Sequence, residues 1–169
     1  MGRVANSSGS AVAAPPLFDA AFVAAAAAGF EHLAVDALHM LAIVAPPAEG
    51  VALDRQALSL AAAATDPRAR QWRGSLLNNL GWTLFERGDL ENALETFEQA
   101  LAARVEAGQQ TEILIARWCV ARTLRALGRF DEALTIQREL AAERAAAGTA
   151  DPYVQEELAE LEAARGGRA

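Results

Sequence analysis

The feature that most constrains the fold is an internal repeat of about 40 residues. When the chain is shifted by 40 positions against itself, small residues fall on small residues and large apolar residues on large apolar ones. The matched pairs are Gly88 with Gly128, Leu90 with Phe130, Ala93 with Ala133, Leu94 with Leu134, Leu80 with Val120, Gly81 with Ala121, and Leu84 with Leu124. A shift of 38 also places Leu158–Ala159 on Leu80–Gly81. A fixed period of this length predicts a stack of helical hairpins, because one such unit cannot bury its apolar face alone.

Glycine, proline and aspartate divide the chain into eight predicted helices joined by short turns. Gly88, Gly108 and Gly128 each follow a segment of helical periodicity, as residues that end helices do. Asp66–Pro67 has the order of an N-cap and a first-turn proline. The predicted helices cover residues 17–29, 31–44, 51–64, 67–87, 90–108, 111–127, 130–147 and 151–165. Alanine, leucine, glutamate and arginine dominate the composition, which also favours helix over strand.

The segment from Leu80 to Leu101 resembles a tetratricopeptide repeat (TPR). In that family small residues let the two helices of a hairpin approach closely. The matching small and large positions are Gly81, Ala93 and Ala100, and Leu80, Leu84, Leu90 and Phe97. A second copy over about 114–147 matches at Ala121, Leu124, Gly128, Phe130, Ala133 and Leu134, and departs at Gln137 and Leu140, where the family prefers an aromatic residue and an alanine. The period of 40 residues resembles the long-helix variety. The resemblance implies an all-α fold in which about eight helices stack as antiparallel hairpins in a right-handed solenoid with a concave face.

The predicted organisation is a disordered leader over residues 1–16, followed by a single TPR-like repeat domain over 17–169. The leader mixes glycine, serine and alanine and ends in two prolines. The domain is expected to contain a half repeat (17–30), a degenerate repeat with a proline-rich turn (31–64), two clear repeats (67–108 and 110–148) and a C-terminal capping helix (151–165).

Charge and residue content argue against several classes of function. The chain has 15 basic and 22 acidic side chains, a net charge of −7, so a nucleic-acid partner is not expected. All basic residues are arginine, which excludes lysine Schiff-base chemistry. Cys119 is the single cysteine, so no intramolecular disulfide or cysteine-rich zinc site can form. The most apolar stretch, residues 20–30, is too short to cross a bilayer. We therefore expect a cytoplasmic protein with no membrane contact and no cofactor.

Aromatic, amide and charged residues recur on the helix face opposite the packing stripe, and we expect this face to line a partner-binding groove. Its residues are Asn78, Asn79, Trp82 and Phe85 in the first clear repeat, Trp118, Arg122 and Arg125 in the second, and Tyr153, Glu156 and Glu160 in the last helix. Tryptophan and arginine supply much of the energy of protein interfaces, and arginine can bind a carboxylate or phosphate through two hydrogen bonds. The alternative is that the tryptophans pack between adjacent repeats while the arginines pair with Glu156 and Glu160.

The family resemblance bears on what such a groove would bind. In family members the position of Asn79 often hydrogen-bonds the backbone of a ligand. The variety of the family that clamps a C-terminal carboxylate also uses lysines, and this chain has none. That partner class is therefore not expected.

Three residues could form a metal site, because His32, Asp36 and His39 share one helical face. No further ligand is near them in sequence, so a solvated or groove-facing stripe is the preferred interpretation. Cys119 has no histidine close by in sequence and is interpreted as a buried or groove-lining thiol. No catalytic signature occurs in the chain, and we predict that it is not an enzyme.

The predicted function is a non-enzymatic protein–protein interaction module that binds a peptide or helical segment in the concave groove of a TPR solenoid. The alternative is a regulatory or sensor domain that recognises a small molecule or controls a domain absent from this chain. The last helix carries four glutamates and provides a polar end to the stack, whereas the first helix is rich in alanine. We expect the leader, a second chain or sequence from a longer parent to cover that first helix, and homodimerisation through the N-terminal helices is one hypothesis.

Overall fold

The computed structural model describes residues 14–166, and the chain is all-helical over this range. Its helices are α1 (Ala14–Ala27), α2 (Glu31–Val44), α3 (Pro47–Ala63), the single turn α4 (Pro67–Arg70), α5 (Arg73–Glu86), α6 (Leu90–Glu106), α7 (Gln110–Ala126), α8 (Phe130–Ala146) and α9 (Pro152–Gly166). The all-α prediction is confirmed. None of the helices within the described range combines the length and apolar character that a transmembrane helix needs.

The helix boundaries differ from the predicted ones mainly in the first half of the chain. Helix α1 begins at Ala14, so residues 14–16 of the predicted leader are helical, while the rest of that leader lies outside the described residues. Helix α3 begins at Pro47, four residues earlier than predicted, because proline at the first helical position needs no N–H donor. The predicted helix 67–87 is divided, since the Trp72 N–H bonds to the Ala69 carbonyl three residues back and tightens the chain into a turn.

Left-handed glycines set the repeat period in the second half of the chain. Gly88, Gly108, Gly128 and Gly148 recur at intervals of 20 residues with φ between 66° and 77°. After each of them the next N–H bonds to the carbonyl five residues earlier, at 2.9–3.0 Å, which is the Schellman arrangement for ending a helix. Helices α6, α7 and α8 consequently have 17 residues each. Two helices with their turns make the 40-residue repeat seen in the sequence.

The chain divides into two compact units between Asp89 and Leu90. In the N-terminal unit, whose described residues are 14–89, α1 packs against α2, α2 against α3, and α3 against α5. Alanine is prominent in its core, which lets the helices approach closely. The core residues include Val35, Leu38, Ala57, Ala61, Ala64, Ala69 and Leu76.

The C-terminal unit, whose described residues are 90–166, is a regular succession of antiparallel helices. Helix α6 packs against α7, α7 against α8, and α8 against α9, and α9 also contacts α7. Ala93 and Ala133, which the sequence places at matching small positions, are both 0% exposed. Phe97 and Leu140 are also buried, at 0% and 1% exposed. Both alanines are therefore buried, as expected for residues at close helix contacts.

Candidate functional site

An aromatic pair joins α7 to the start of α9 in the C-terminal unit. The Trp118 Nε1–H donates a hydrogen bond to the Tyr153 carbonyl at 3.3 Å. The two rings lie 6.4 Å apart at 74°, in an edge-to-face arrangement. Tyr153 remains 67% exposed and Ile115, one helical turn before Trp118, is 50% exposed. We call Ile115, Trp118 and Tyr153 the aromatic face.

The two predicted groove arginines pair with a buried carboxylate that the sequence interpretation missed. Glu157 is 2% exposed and accepts hydrogen bonds from Arg122 and from Arg125, whose Nε lies 2.8 Å from Oε2 and whose second nitrogen lies 3.0 Å from Oε1. This pairing raises the pKa of Arg125 above its usual value. The Arg122 guanidinium also lies 5.5 Å from the centre of the Trp118 ring. Both arginines are thereby held in place by α9.

The alternative interpretation, in which these arginines pair with Glu156 and Glu160, omitted Glu157, the buried carboxylate that bonds to both arginines. Glu160 lies 3.7 Å from Arg125, but its side chain is 60% exposed and the contact is loose. Glu156 is exposed and affects Arg125 only through its charge. Glu157 lies on the same stripe of α9 as Val154 and Leu161, which are both buried. A charged residue in that apolar register was the sequence signal that could have identified it.

An apolar cavity of about 280 Å³ opens beside the aromatic face. It lies among α7, α8 and the start of α9, and its apolar lining is Leu114, Ile115, Trp118, Leu140, Tyr153 and Val154. Arg144 and Asp151 complete the lining, and their nearest charged atoms are 3.6 Å apart. The cavity thus combines apolar walls with one ion pair, as sites for an inserted side chain or small ligand often do.

The predicted groove residues of α5 belong to the N-terminal unit. The amide nitrogen of Asn79 lies 3.2 Å from His39 Nδ1, and the rings of Trp82 and Phe85 meet edge to face at 5.4 Å. Asn78 is half-buried on the same helix. The contact with His39 holds the Asn79 side chain against α2, and the role of this face in partner binding stays a prediction.

Asn79 and Trp82 line a small polar cavity of about 180 Å³ in the N-terminal unit. We call it the acceptor cavity and define it by Ala42, Ile43, Ala45, Gly50, Asn79, Trp82, Thr83 and Glu86. Behind its wall, Asp54 is 1% exposed, and its Oδ2 accepts a 3.4 Å hydrogen bond from the Thr83 hydroxyl. Burial raises the pKa of the Asp54 carboxyl to about 7, and the hydrogen bond from Thr83 opposes that rise.

The structure does not bring His32, Asp36 and His39 together. His32 Nδ1 lies 3.2 Å from an Asp66 carboxylate oxygen, while the His39 ring lies 5.1 Å from that of Trp72. Among residues 14–166 no group of three or more histidine, cysteine, aspartate or glutamate side chains could hold a metal ion. Cys119 is a buried free thiol, 1% exposed.

A wide apolar groove follows α1 and the start of α2. It encloses about 740 Å³ and its lining is formed by alanines together with Leu17, Phe18, Phe30, Leu33 and Met40. Asp36 contributes the charged side chain of this lining. Leu17, Phe30 and Leu33 are 36%, 55% and 46% exposed, so the alanine-rich end of the chain presents apolar surface.

Comparison with known proteins identifies the repeat. Residues 73–107, which span α5 and α6, match the tetratricopeptide repeat family. The chain therefore contains a TPR motif over these residues and has a TPR-like helical-repeat fold. Two crystal structures of nearly identical TPR-like repeats assigned to a kinesin light chain of Podosopora anserina, one of them a point variant, have a similar fold, with TM-scores of 0.80 and 0.78. Sequence identity is 22% and 23%, and each match covers 99% of this chain and 84% of the other. No curated protein matches the chain significantly.

The TPR fold fits the coarse functional prediction. TPR repeats generally mediate protein–protein interactions, and the fold is typically a non-enzymatic scaffold. At the identities above, the likeness to the solved structures extends to the fold alone. What this protein binds must therefore be argued from its own side chains.

One departure from the TPR pattern has a structural consequence. Gln137, which stands where the family prefers an aromatic residue, is 0% exposed, and neither its amide oxygen nor its amide nitrogen has a hydrogen-bond partner within the described residues. An unsatisfied buried amide costs stability. The repeat that contains α7 and α8 therefore buries an amide whose hydrogen bonds are not satisfied within the described residues.

Proposed function

We propose that this protein is a non-enzymatic interaction module that binds a helical or extended segment of a partner protein at the aromatic face. An apolar side chain of that segment inserts into the 280 Å³ cavity. The observation that supports the proposal is the apolar cavity opening between two exposed apolar residues, Ile115 and Tyr153. Interfaces obtain most of their binding energy from a few such anchors in apolar pockets.

The charged residues nearby do not specify an acidic partner. Arg122 and Arg125 direct hydrogen bonds to the buried carboxylate of Glu157, and withdrawing them would leave that carboxylate unpaired inside the protein. Glu156 and Tyr153 are instead exposed on α9. The expected anchor is therefore an apolar side chain and not a carboxylate or phosphate.

The test uses short peptides selected from a display library against the whole chain. Selected peptides are expected to share a large apolar residue, and Tyr153→Ala and Ile115→Ala should each weaken binding about tenfold. Val105→Ala is the matched control, because Val105 is 58% exposed in the same unit and does not line the cavity. Peptides whose affinity is the same for all three variants would contradict the proposal.

A small apolar molecule is the alternative occupant of this cavity. The volume of the cavity, about 280 Å³, lies just below the range of about 300–1,000 Å³ that is usual for ligand pockets. Thermal stabilisation by such a molecule, lost in Ile115→Ala while no peptide binds, would assign the cavity to the sensor function.

We further propose that the groove along α1 and α2 binds a second copy of the chain. Large exposed apolar patches are unusual on monomers, and a nearly uncharged groove is compatible with its own copy in a two-fold contact. Leu33→Glu should convert the dimer to a monomer in light scattering. A monomer mass that does not depend on concentration in the parent chain would refute this association.

A further inference from the structure

The acceptor cavity of the N-terminal unit has no part in the proposed function, and its lining includes several hydrogen-bond acceptors. It lies where the end of α2 meets the start of α3 and the second half of α5. The side chains of its lining that can hydrogen-bond are those of Asn79, Trp82, Thr83 and Glu86, and none of the described residues that line it is basic. A ligand must complement the groups of the lining that do not already hydrogen-bond inside the protein.

The C-terminal end of α2 supplies backbone acceptors. In a continuing helix, the N–H groups of residues 46 and 47 would bond to the carbonyls of Ala42 and Ile43, but both residues are proline and have no N–H. The last turn of α2 contains no basic residue to offset the negative end of the helix dipole. A helix end with orphan carbonyls and no compensating charge within that turn therefore borders the cavity.

Gly50 keeps space open beside one of these carbonyls. A Cβ atom at this position would lie 3.5 Å from the Ala42 carbonyl oxygen and 3.4 Å from the Thr83 methyl carbon. Because glycine has no side chain, the end of α2 and Thr83 both face this space.

The Asn79 amide nitrogen and the Thr83 hydroxyl both contact groups inside the protein. The amide nitrogen of Asn79 lies against His39 Nδ1 at 3.2 Å. The Thr83 hydroxyl oxygen lies 3.1 Å from the main-chain carbonyl oxygen of Asn79 and 3.4 Å from Asp54 Oδ2, so its one proton is shared between two acceptors. Asp54 Oδ1 is buried behind this wall and has no hydrogen-bond partner among residues 14–166. The cavity is thus bordered by acceptors and by negative charge.

We propose that the acceptor cavity binds an organic cation, a primary ammonium or a guanidinium group. These groups carry three and five N–H donors and no acceptor, which complements the Ala42 carbonyl, the Glu86 carboxylate and the end of the α2 dipole. The indole of Trp82 in the wall adds an attraction for cations that a neutral ligand would not gain. This site goes beyond the proposed function, concerns the other unit and does not depend on it.

The test is an NMR titration of the full-length chain with n-butylammonium, n-butylguanidinium and the neutral control 1-butanol at constant ionic strength. Saturable shifts of the Trp82 indole and Asn79 amide signals are expected for the two cations, with affinities at least about tenfold above that of butanol. Equal affinities for butanol and butylammonium, or shifts that do not saturate at these residues, would overturn the proposal.

Two variants and one control separate the site from general electrostatics. Glu86→Gln removes the carboxylate of the lining, and Gly50→Ala adds a methyl group to the cavity without a backbone clash. Each should weaken butylammonium binding several-fold. The control is Glu49→Gln, which also removes one carboxylate. Glu49 is next to Gly50 in sequence but lies outside this lining, so the affinity of this variant for butylammonium should equal that of the parent. Equal losses in Glu86→Gln and Glu49→Gln would contradict a specific site.

A blocked amino acid tests whether the cation belongs to a polypeptide side chain or to a free small amine. N-acetyl-lysine methylamide presents the ammonium group as a protein side chain does. If it binds at least as tightly as butylammonium, a lysine or arginine of a polypeptide is the occupant. If butylammonium binds and the blocked lysine is excluded, the site takes a free small amine.

Discussion

Each unit buries a carboxyl group, but the hydrogen-bond donors are charged in the C-terminal unit and neutral in the N-terminal unit. In the C-terminal unit Glu157 is 2% exposed and receives hydrogen bonds from two arginines. In the N-terminal unit Asp54 is 1% exposed, and its hydrogen bond comes from the Thr83 hydroxyl at 3.4 Å. Glu157 is thus paired with charge, whereas burial raises the pKa of Asp54 to about 7.

The difference follows from how the helices are arranged in each unit. Helices α7 and α9 contact each other, so that arginines on one can reach a carboxylate on the other. Helix α3 packs against α5 through Gly50 and Thr83, and the Thr83 hydroxyl is the group that reaches Asp54. A buried carboxylate is stable when paired with charge and protonates when it is not. The C-terminal unit should therefore be sensitive to loss of an arginine, and the N-terminal unit to pH.

The largest expected effect is the loss of one arginine from the buried pair. Arg125→Met keeps the aliphatic stem but removes two hydrogen bonds to Glu157. The free energy of unfolding should fall by about 3 kcal/mol, because a buried charge loses much of its compensation. Urea denaturation at neutral pH measures the change.

The matched control is Arg129→Met in the same unit. Arg129 also makes two hydrogen bonds to a glutamate, Glu132, but both side chains are about half exposed. Water replaces such contacts readily, so stability should be nearly unchanged. Equal losses in the two variants would mean that the burial of Glu157 has no energetic role.

The second prediction concerns the carboxyl of Asp54. Between the unfolded pKa near 4 and the folded value of about 7, unfolding releases the proton of Asp54, so this group makes stability fall as the pH rises. Above a pH of about 7, the effect of Asp54 on stability no longer changes with pH. Asp54→Asn removes this pH dependence. When the pH is raised from 5 to 8, the free energy of unfolding of the variant should therefore increase relative to that of the parent by on the order of 2 kcal/mol.

Denaturation at the two pH values tests this difference. Asp19→Asn, which removes the same charge from the exposed side of α1, controls for net charge. Parallel stability curves for the parent and Asp54→Asn would show that Asp54 ionises in the folded protein as it does in the unfolded one.

The sequence allowed the repeat to be predicted but not the two buried carboxyls. The period, the glycine helix ends and the burial of Ala93 and Ala133 follow from side-chain size and helical periodicity. Asp54 was missed because an aspartate within a helix usually lies on its exposed face, and its burial here depends on how α3 packs against α5. Glu157 was missed because the rotation of α9 is set by the packing of Val154 and Leu161, which a charge pattern alone does not reveal.

The third prediction addresses a buried polar group that does not titrate. Gln137→Met keeps the shape of the buried side chain and removes an amide that has no hydrogen-bond partner in the described part of the chain. The free energy of unfolding should rise by about 1 kcal/mol, because the desolvation cost of the amide disappears. Gln99→Met, on the exposed side of α6, is the control. A loss of stability in Gln137→Met would mean that the amide is satisfied in solution.

The smallest effects contrast one glycine from each unit. Gly108 has φ of +66°, and a methyl group added there would meet none of the described residues within 4 Å, so Gly108→Ala should cost about 1 kcal/mol through backbone conformation alone. Gly50 lies inside helix α3, where alanine is the better helix former, and its nearest contact would be 3.4 Å. Gly50→Ala should therefore stabilise the protein by up to about 1 kcal/mol. Opposite signs in urea denaturation would confirm that the backbone conformation requires glycine at position 108 and does not require it at position 50. A loss of stability in Gly50→Ala would show that the Thr83 side chain cannot yield.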